Sequence, residues 1–219
     1  MSDIVQQLDE ELAGIVAAVR RSLVQVRYRD RSLGAGTIWH ADGLIITNAH
    51  VAQRGGLTVT LPDGRTVPTR LLARDPECDL AALSVEAHDL PATPLGDARA
   101  LRPGDWVMAL GHPWGALGAV TAGIVVGMGA DWPEILPGRN DWLVASLHLR
   151  PGHSGGPLVD AQGKLVGINT LMNGPDAGVA IPVHVAARFL KDALDDERRR
   201  SQPEGHVQAA GDPGPAEYV

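Results

Sequence analysis

The spacing of apolar positions changes twice along the chain. Val5, Leu8, Leu12, Ile15, Val16 and Val19 recur every three or four residues, with Glu10 and Glu11 on another face. This predicts an amphipathic helix over 3–19, capped by Ser2 or Asp3. From Ser22 the period becomes two: Leu23, Val24, Val26 and Tyr28 mix with Gln25, Arg27 and Arg29. Further short strands are expected at 37–39, 44–47, 57–61, 66–73 and 80–85, with turns at Asp42-Gly43 and Pro62-Asp63-Gly64. Residues 86–104 are rich in Pro, Asp and Ala and read as a connection. A second run follows at 106–111, 115–127, 142–149, 157–159, 164–170 and 178–181. Asp160-Ala161-Gln162-Gly163 is its hairpin turn.

After Pro182 the helical period returns in Val183, Val185, Ala186, Phe189, Leu190 and Leu194. The expected organisation is a helix over 1–21, one barrel over about 22–95, a second over about 101–181, a helix over 182–200 and a disordered tail over 201–219. Two small barrels place any site built from loops of both in the cleft between them.

Composition fits this picture. Hydrophobic residues are 44% but aromatics only 4%, so Val, Leu, Ile and Ala must fill the core. The 26 Gly and 16 Pro suit many short strands joined by turns. A formal net charge of −7, with only short basic clusters, argues against a nucleic-acid partner. No window reaches the ~18 apolar residues of a spanning helix, so no membrane partner is expected. No signal peptide is visible, and a cytoplasmic location is the resulting expectation. One cysteine, Cys78, allows no intrachain disulfide and reads as a small buried strand residue. The histidines His40, His88, His112, His184 and His206 show no metal-ligand spacing. Trp106, Trp114, Trp132 and Trp142 read as packing residues, the last two flanking a loop over 129–141 that could border the cleft.

Three segments carry candidate chemistry. They are Thr47-Asn48-Ala49-His50-Val51, Glu77-Cys78-Asp79-Leu80-Ala81, and Arg150-Pro151-Gly152-His153-Ser154-Gly155-Gly156-Pro157. A serine hydroxyl needs a neighbouring base, and the base needs an orienting partner. His50 suits proton transfer near neutral pH, Asp79 would hold its tautomer, and Ser154 would attack. Gly152 lets the backbone turn so that its N–H and that of Ser154 form an oxyanion hole. Singly, each residue reads as an ordinary loop or turn residue; together they follow the order His, Asp, Ser.

On these motifs the chain resembles the chymotrypsin-like serine peptidases, and within them the HtrA (Deg) branch. Gly34-Ala35-Gly36-Thr37, Gly43 to Val51, Asp79-Leu80-Ala81, Pro151 to Leu158, Gly163 to Asn169 and Gly178 to Pro182 carry the resemblance. It covers roughly residues 22–190. The resemblance implies an all-β, chymotrypsin-like double β-barrel with flanking helices, endopeptidase activity on protein or peptide substrates, and no cofactor. By analogy it also raises a homotrimer.

The chain departs from the branch at two positions near the serine. His153 stands where Asn is common, and Ser146 where Asp is common eight residues before the serine. These motivate an alternative, a latent or inactive peptide-binding module that awaits a partner. His148, six residues before Ser154, falls where the chymotrypsin-like fold places the floor of the primary pocket; there it either favours a polar or acidic substrate residue or, if the HtrA-type pocket is shaped differently, merely packs. Asn169 and Thr170 complete the expected pocket. The terminal Glu217-Tyr218-Val219 is the kind of end that PDZ grooves capture.

Overall fold

The computed structural model describes residues 2–131, 138–139, 141–172 and 176–201, with side chains described from residue 4 onward. Trp132, most of the loop around it, and the tail with Glu217-Tyr218-Val219 lie outside the described residues.

Helix α1 (Ser2–Arg20) leads into β1 (Leu23–Tyr28), β2 (Arg31–His40), β3 (Leu44–Thr47), β4 (Leu57–Thr60), β5 (Thr66–Asp75) and β6 (Leu80–Val85). These six strands close into an antiparallel barrel in the order β1-β2-β3-β6-β5-β4. The second barrel holds β7 (Trp106–Gly111), β8 (Ala119–Met128), β9 (Leu143–Ser146), β10 (Pro157–Asp160), β11 (Leu165–Met172) and β12 (Ala177–Pro182). Its order is β10-β11-β12-β9-β8-β7. Helix α2 (Val183–Ser201) ends the described chain. The chymotrypsin-like double barrel with N- and C-terminal helices is therefore the architecture.

Period-two patterning drives closure. Alternate inward residues Val24, Val26, Ile38, Ile45, Val59 and Leu83 fill barrel one, and Val107, Ala109, Val125, Leu143 and Leu158 fill barrel two. Each fully buried side chain of this size contributes about 1.5–3 kcal/mol. Small and branched aliphatics suffice because a six-stranded barrel is narrow.

The helices join the barrels. Helix α2 sets Val183, Val185, Ala186 and Leu190 against Ile168 and Ile181 of barrel two and against Ile46 and Leu80 of barrel one. An Arg70–Glu197 ion pair links its far end to β5. The last two turns of α1 carry Leu12, Ile15, Val16 and Val19 onto Ala35, Met108 and Val159, at the seam. The predicted apolar stripe packs only over this C-terminal half. Val5 and Leu8 are 60% and 53% exposed.

Four sequence expectations are corrected here. Cys78 lies in the turn before β6 and is half-buried, because β6 starts two residues later at Leu80. Burial raises its thiol pKa. Trp142 is in the core, but Trp106 and Trp114 are 61% and 78% exposed. Strand β8 starts at Ala119, because Pro113–Gly115 form a short 3₁₀ turn. Strand β9 ends at Ser146, so the stretch to Leu149 is not strand.

Candidate active site

Three turns meet at the seam between the barrels. His50 follows β3, Asp79 precedes β6 and Ser154 precedes β10. Pairing of β3 with β6 sets Thr47 opposite Ala81, which brings the first two turns together. Buried Asn48 ties them: its Nδ2 donates to the Asp79 carbonyl at 3.0 Å. The third turn docks through the Ala35 N–H, which donates to the Ser154 carbonyl at 2.8 Å. Gly155, with φ of 83°, makes the approach possible, since a Cβ there would lie 2.2 Å from the Ala35 carbonyl oxygen.

The His50 and Asp79 side chains are joined. The ring Nδ1 lies 2.8 Å and 3.0 Å from the two Asp79 carboxylate oxygens, and the His50 backbone N–H donates to Oδ1 at 3.0 Å. Thr170 Oγ1 donates to Oδ2 at 2.6 Å. Burial pushes the Asp79 carboxyl up, but hydrogen bonds from His50 and Thr170 outweigh it and hold the group below its ordinary 3.8. Asp79 has φ of 52°, a left-handed conformation that a non-glycine residue adopts at a cost of about 1–3 kcal/mol.

Ser154 Oγ donates to the Thr170 carbonyl at 3.0 Å. The His50 ring bonds only through Nδ1 among the described residues, so the Ser154 hydroxyl is spent on Thr170 and makes no hydrogen bond to Nε2.

The turn before Ser154 is well defined. The His153 N–H donates to the Arg150 carbonyl at 2.9 Å, and Gly152 has φ of 109°. Proline at the first central position forbids positive φ there, so this is a type II turn. Relative to a type I turn its central peptide is rotated by half a turn, carrying the Gly152 N–H to the face occupied by the carbonyl in the alternative. The Gly152 carbonyl is held in turn by the His112 N–H at 2.8 Å. Among the described residues neither the Gly152 N–H nor the Ser154 N–H donates to a protein acceptor.

His153, the departure from the family pattern, has a structural job. It is 1% exposed, and its Nδ1 lies 3.1 Å from both the backbone nitrogen and the carbonyl oxygen of Arg150, closing the turn from inside in either ring tautomer. Burial lowers its pKa, which favours the neutral ring.

The three expected pocket residues have different surroundings. Asn169 has no exposed surface, and its Nδ2 donates to the Leu110 and Pro157 carbonyls at 3.2 Å and 3.0 Å. It ties β11 to β7 and to the start of β10 and lines no open pocket. Thr170 is at the site, but it bridges Asp79 and Ser154. His148 has a half-exposed ring whose Nδ1 lies 3.9 Å from Asp176. Sequence reasoning missed Asn48, Arg74 and His112 as positioning groups. Arg74 Nε donates from β5 to the Ala49 carbonyl in the turn after β3 at 2.9 Å, with no sequence signal for the contact.

A family model described as "Trypsin-like peptidase domain" matches residues 34–168. The chain belongs to the trypsin-like peptidases. Its curated relatives are of the HtrA/DegP type. A protein of Marinomonas sp. named "Probable periplasmic serine endoprotease DegP-like" is 42% identical over 173 residues, 75% of this chain and 36% of the relative. One of the same name from Chlamydia trachomatis is 34% identical over 77% of this chain and 35% of the relative. A solved structure titled "HtrA-type protease AlgW with tripeptide" aligns with TM-score 0.76 and 33% identity, over 84% of this chain and 64% of that one.

The chain thus spans about a third of the length of these curated relatives. The expected cytoplasmic location is corrected: these trypsin-like relatives are named as periplasmic, which points away from the cytoplasm.

Proposed function

We propose that this trypsin-like peptidase hydrolyses peptide bonds through an acyl-enzyme, with Ser154 as nucleophile, His50 as general base then acid, and Asp79 as the orienting carboxylate. The N–H groups of Gly152 and Ser154 receive the oxyanion. The observation that carries this reading is the type II turn at Pro151-Gly152, which leaves both donors unspent beside Ser154 Oγ. Such preorganised donors are each worth about 10²–10³ in rate.

In this mechanism substrate enters as an extended strand and displaces the Ser154 hydroxyl from the Thr170 carbonyl. The hydroxyl turns to His50 Nε2, gives up its proton and attacks the carbonyl carbon. Asp79 stabilises the imidazolium while Thr170 Oγ1 keeps the carboxylate in place. His50 then protonates the leaving amine, and a water repeats the sequence to release the acid.

One observation favours the second reading, a latent module: Ser154 Oγ bonds to Thr170 rather than His50. One experiment separates them. Intact mass is measured after treatment with a fluorophosphonate, on the native chain and on Ser154→Ala. A single stoichiometric adduct, absent from a folded Ser154→Ala, is expected. No adduct on the folded native chain would refute an active resting site and favour latency.

A further inference from the structure

A cleft of about 940 Å³ opens from the oxyanion turn toward barrel one, between β1, β2, β4 and the 112–117 loop. Pro151 and Gly152 line both the turn and this cleft. No residue of β11 or β12 lines it. Because Pro151 and Gly152 belong to the turn beside Ser154, a polypeptide that runs past Ser154 toward barrel one enters this cleft.

Three observations describe what the cleft accepts. The first is charge. Arg27 and Arg29 line it, opposed only by Asp30. Arg27 donates to the neutral Gln25 Oε1 at 2.7 Å and the Asp30 carbonyl at 3.0 Å, and Arg29 sits over the Tyr28 ring at 5.3 Å. Arg150, which does not itself line the cleft, stands over the ring of the lining residue Trp114 at 5.3 Å. Among the described residues none of these three arginines has a carboxylate within 4.0 Å, in a chain whose net charge is −7.

The second is strain. Of four non-glycine residues with positive φ among those described, Arg29 and Trp114, both at 52°, line this cleft. Such conformations persist where surrounding structure enforces them, and they gather at working surfaces. Trp114 is 78% exposed among the residues that line the cleft.

The third is a free stretch of backbone. The β1–β2 register pairs Val26 with Gly34 and Arg27 with Ser32, so Leu33 is an unpaired bulge residue. It lines the cleft two residues before Ala35, whose N–H docks the Ser154 carbonyl. An extended segment can pair there.

We propose that this cleft holds the substrate segment on the amine side of the scissile bond and selects acidic residues within it, through Arg27, Arg29 and Trp114. The assignment rests on Ser154 being the nucleophile. The arginines supply attraction without a native partner to displace, and the Trp114 ring covers apolar parts of the same segment.

The test uses the full chain and two fluorescein-labelled hexapeptides with free amino ends, identical except for Glu or Lys at the second and third residues. Anisotropy titrations are run in low and 0.5 M salt, on the native chain, Arg27→Glu/Arg29→Glu and Trp114→Ala. Exposed pair energies imply about a tenfold advantage for the Glu peptide, reduced by salt and reversed in the charge-swapped chain. Trp114→Ala weakens both peptides; its exposure keeps folding out of the comparison. Fluorophosphonate labelling of Ser154 is read on the same samples. A labelled serine with equal binding of both peptides overturns the cleft assignment and leaves the peptidase reading standing. A Glu preference on a folded chain whose Ser154 stays unlabelled overturns the assignment of the occupant as the leaving segment.

Discussion

Thr170→Val removes one hydroxyl and keeps the shape of a residue that is 5% exposed. The lost bond is the 2.6 Å donation to Asp79 Oδ2. A hydrogen bond to an ionised group contributes about 1.5–3 kcal/mol. The Asp79 side chain is only 15% exposed, so water replaces little of it. A loss of about 2 kcal/mol at pH 7 is expected, which for an m-value of about 3 kcal/mol/M shifts the urea midpoint down by about 0.7 M. The pH dependence separates charge from packing. The folded Asp79 carboxyl titrates below its ordinary 3.8, so its ionised form stabilises the fold above that pH and the contribution is lost as pH falls through the folded value. Without Thr170 Oγ1 the carboxyl moves back toward 3.8. The gap between native and variant must therefore be full at pH 7 and narrow as pH drops below 4. The kcat/KM should fall about tenfold, since a looser Asp79 holds His50 less well. The measurement is urea unfolding by tryptophan fluorescence at stepped pH from 7 to 3. An equal gap at every pH, or no gap at pH 7, would refute the reasoning.

Two further outcomes follow from the oxyanion turn and its supports. Gly152→Ala would place a Cβ 2.4 Å from the His112 carbonyl oxygen at a φ of 109°, so the turn must rotate its central peptide; fluorophosphonate labelling should drop by about 10²-fold or more while circular dichroism is unchanged, and normal labelling would refute the turn's role. Burial drives His112 down from 6.5 to about 4, so the neutral ring stabilises the fold fully above pH 6.5 and loses about 3 kcal/mol as pH falls to 4; urea midpoints over that range should decline in the native chain and flatten in His112→Gln.

The sequence by itself determined which parts fold as strands, where the two runs divide, and which three residues have the order of a His-Asp-Ser site. Period-two alternation and Gly-based turns are local properties, so β1, β3, β7 and the Asp160–Gly163 turn were legible without any long-range contact. The same holds for helices α1 and α2, whose apolar stripes are internal to each. Partner choice across the chain was not legible. That only half of α1 is covered depends on where Met108 and Val159 of barrel two lie. The roles of Asn169 and Thr170, neighbours on β11, differ because a strand alternates its faces: one amide enters the barrel, and the next hydroxyl reaches Asp79 on the other barrel. His153 looked like a departure from a motif; its burial and its bond to Arg150 made it a strut of the turn. The exposed Trp114 and the uncompensated Arg27 and Arg29 came together only in the tertiary structure. A cleft is made by surfaces that are distant in sequence, and no local pattern encodes which residues face each other across it.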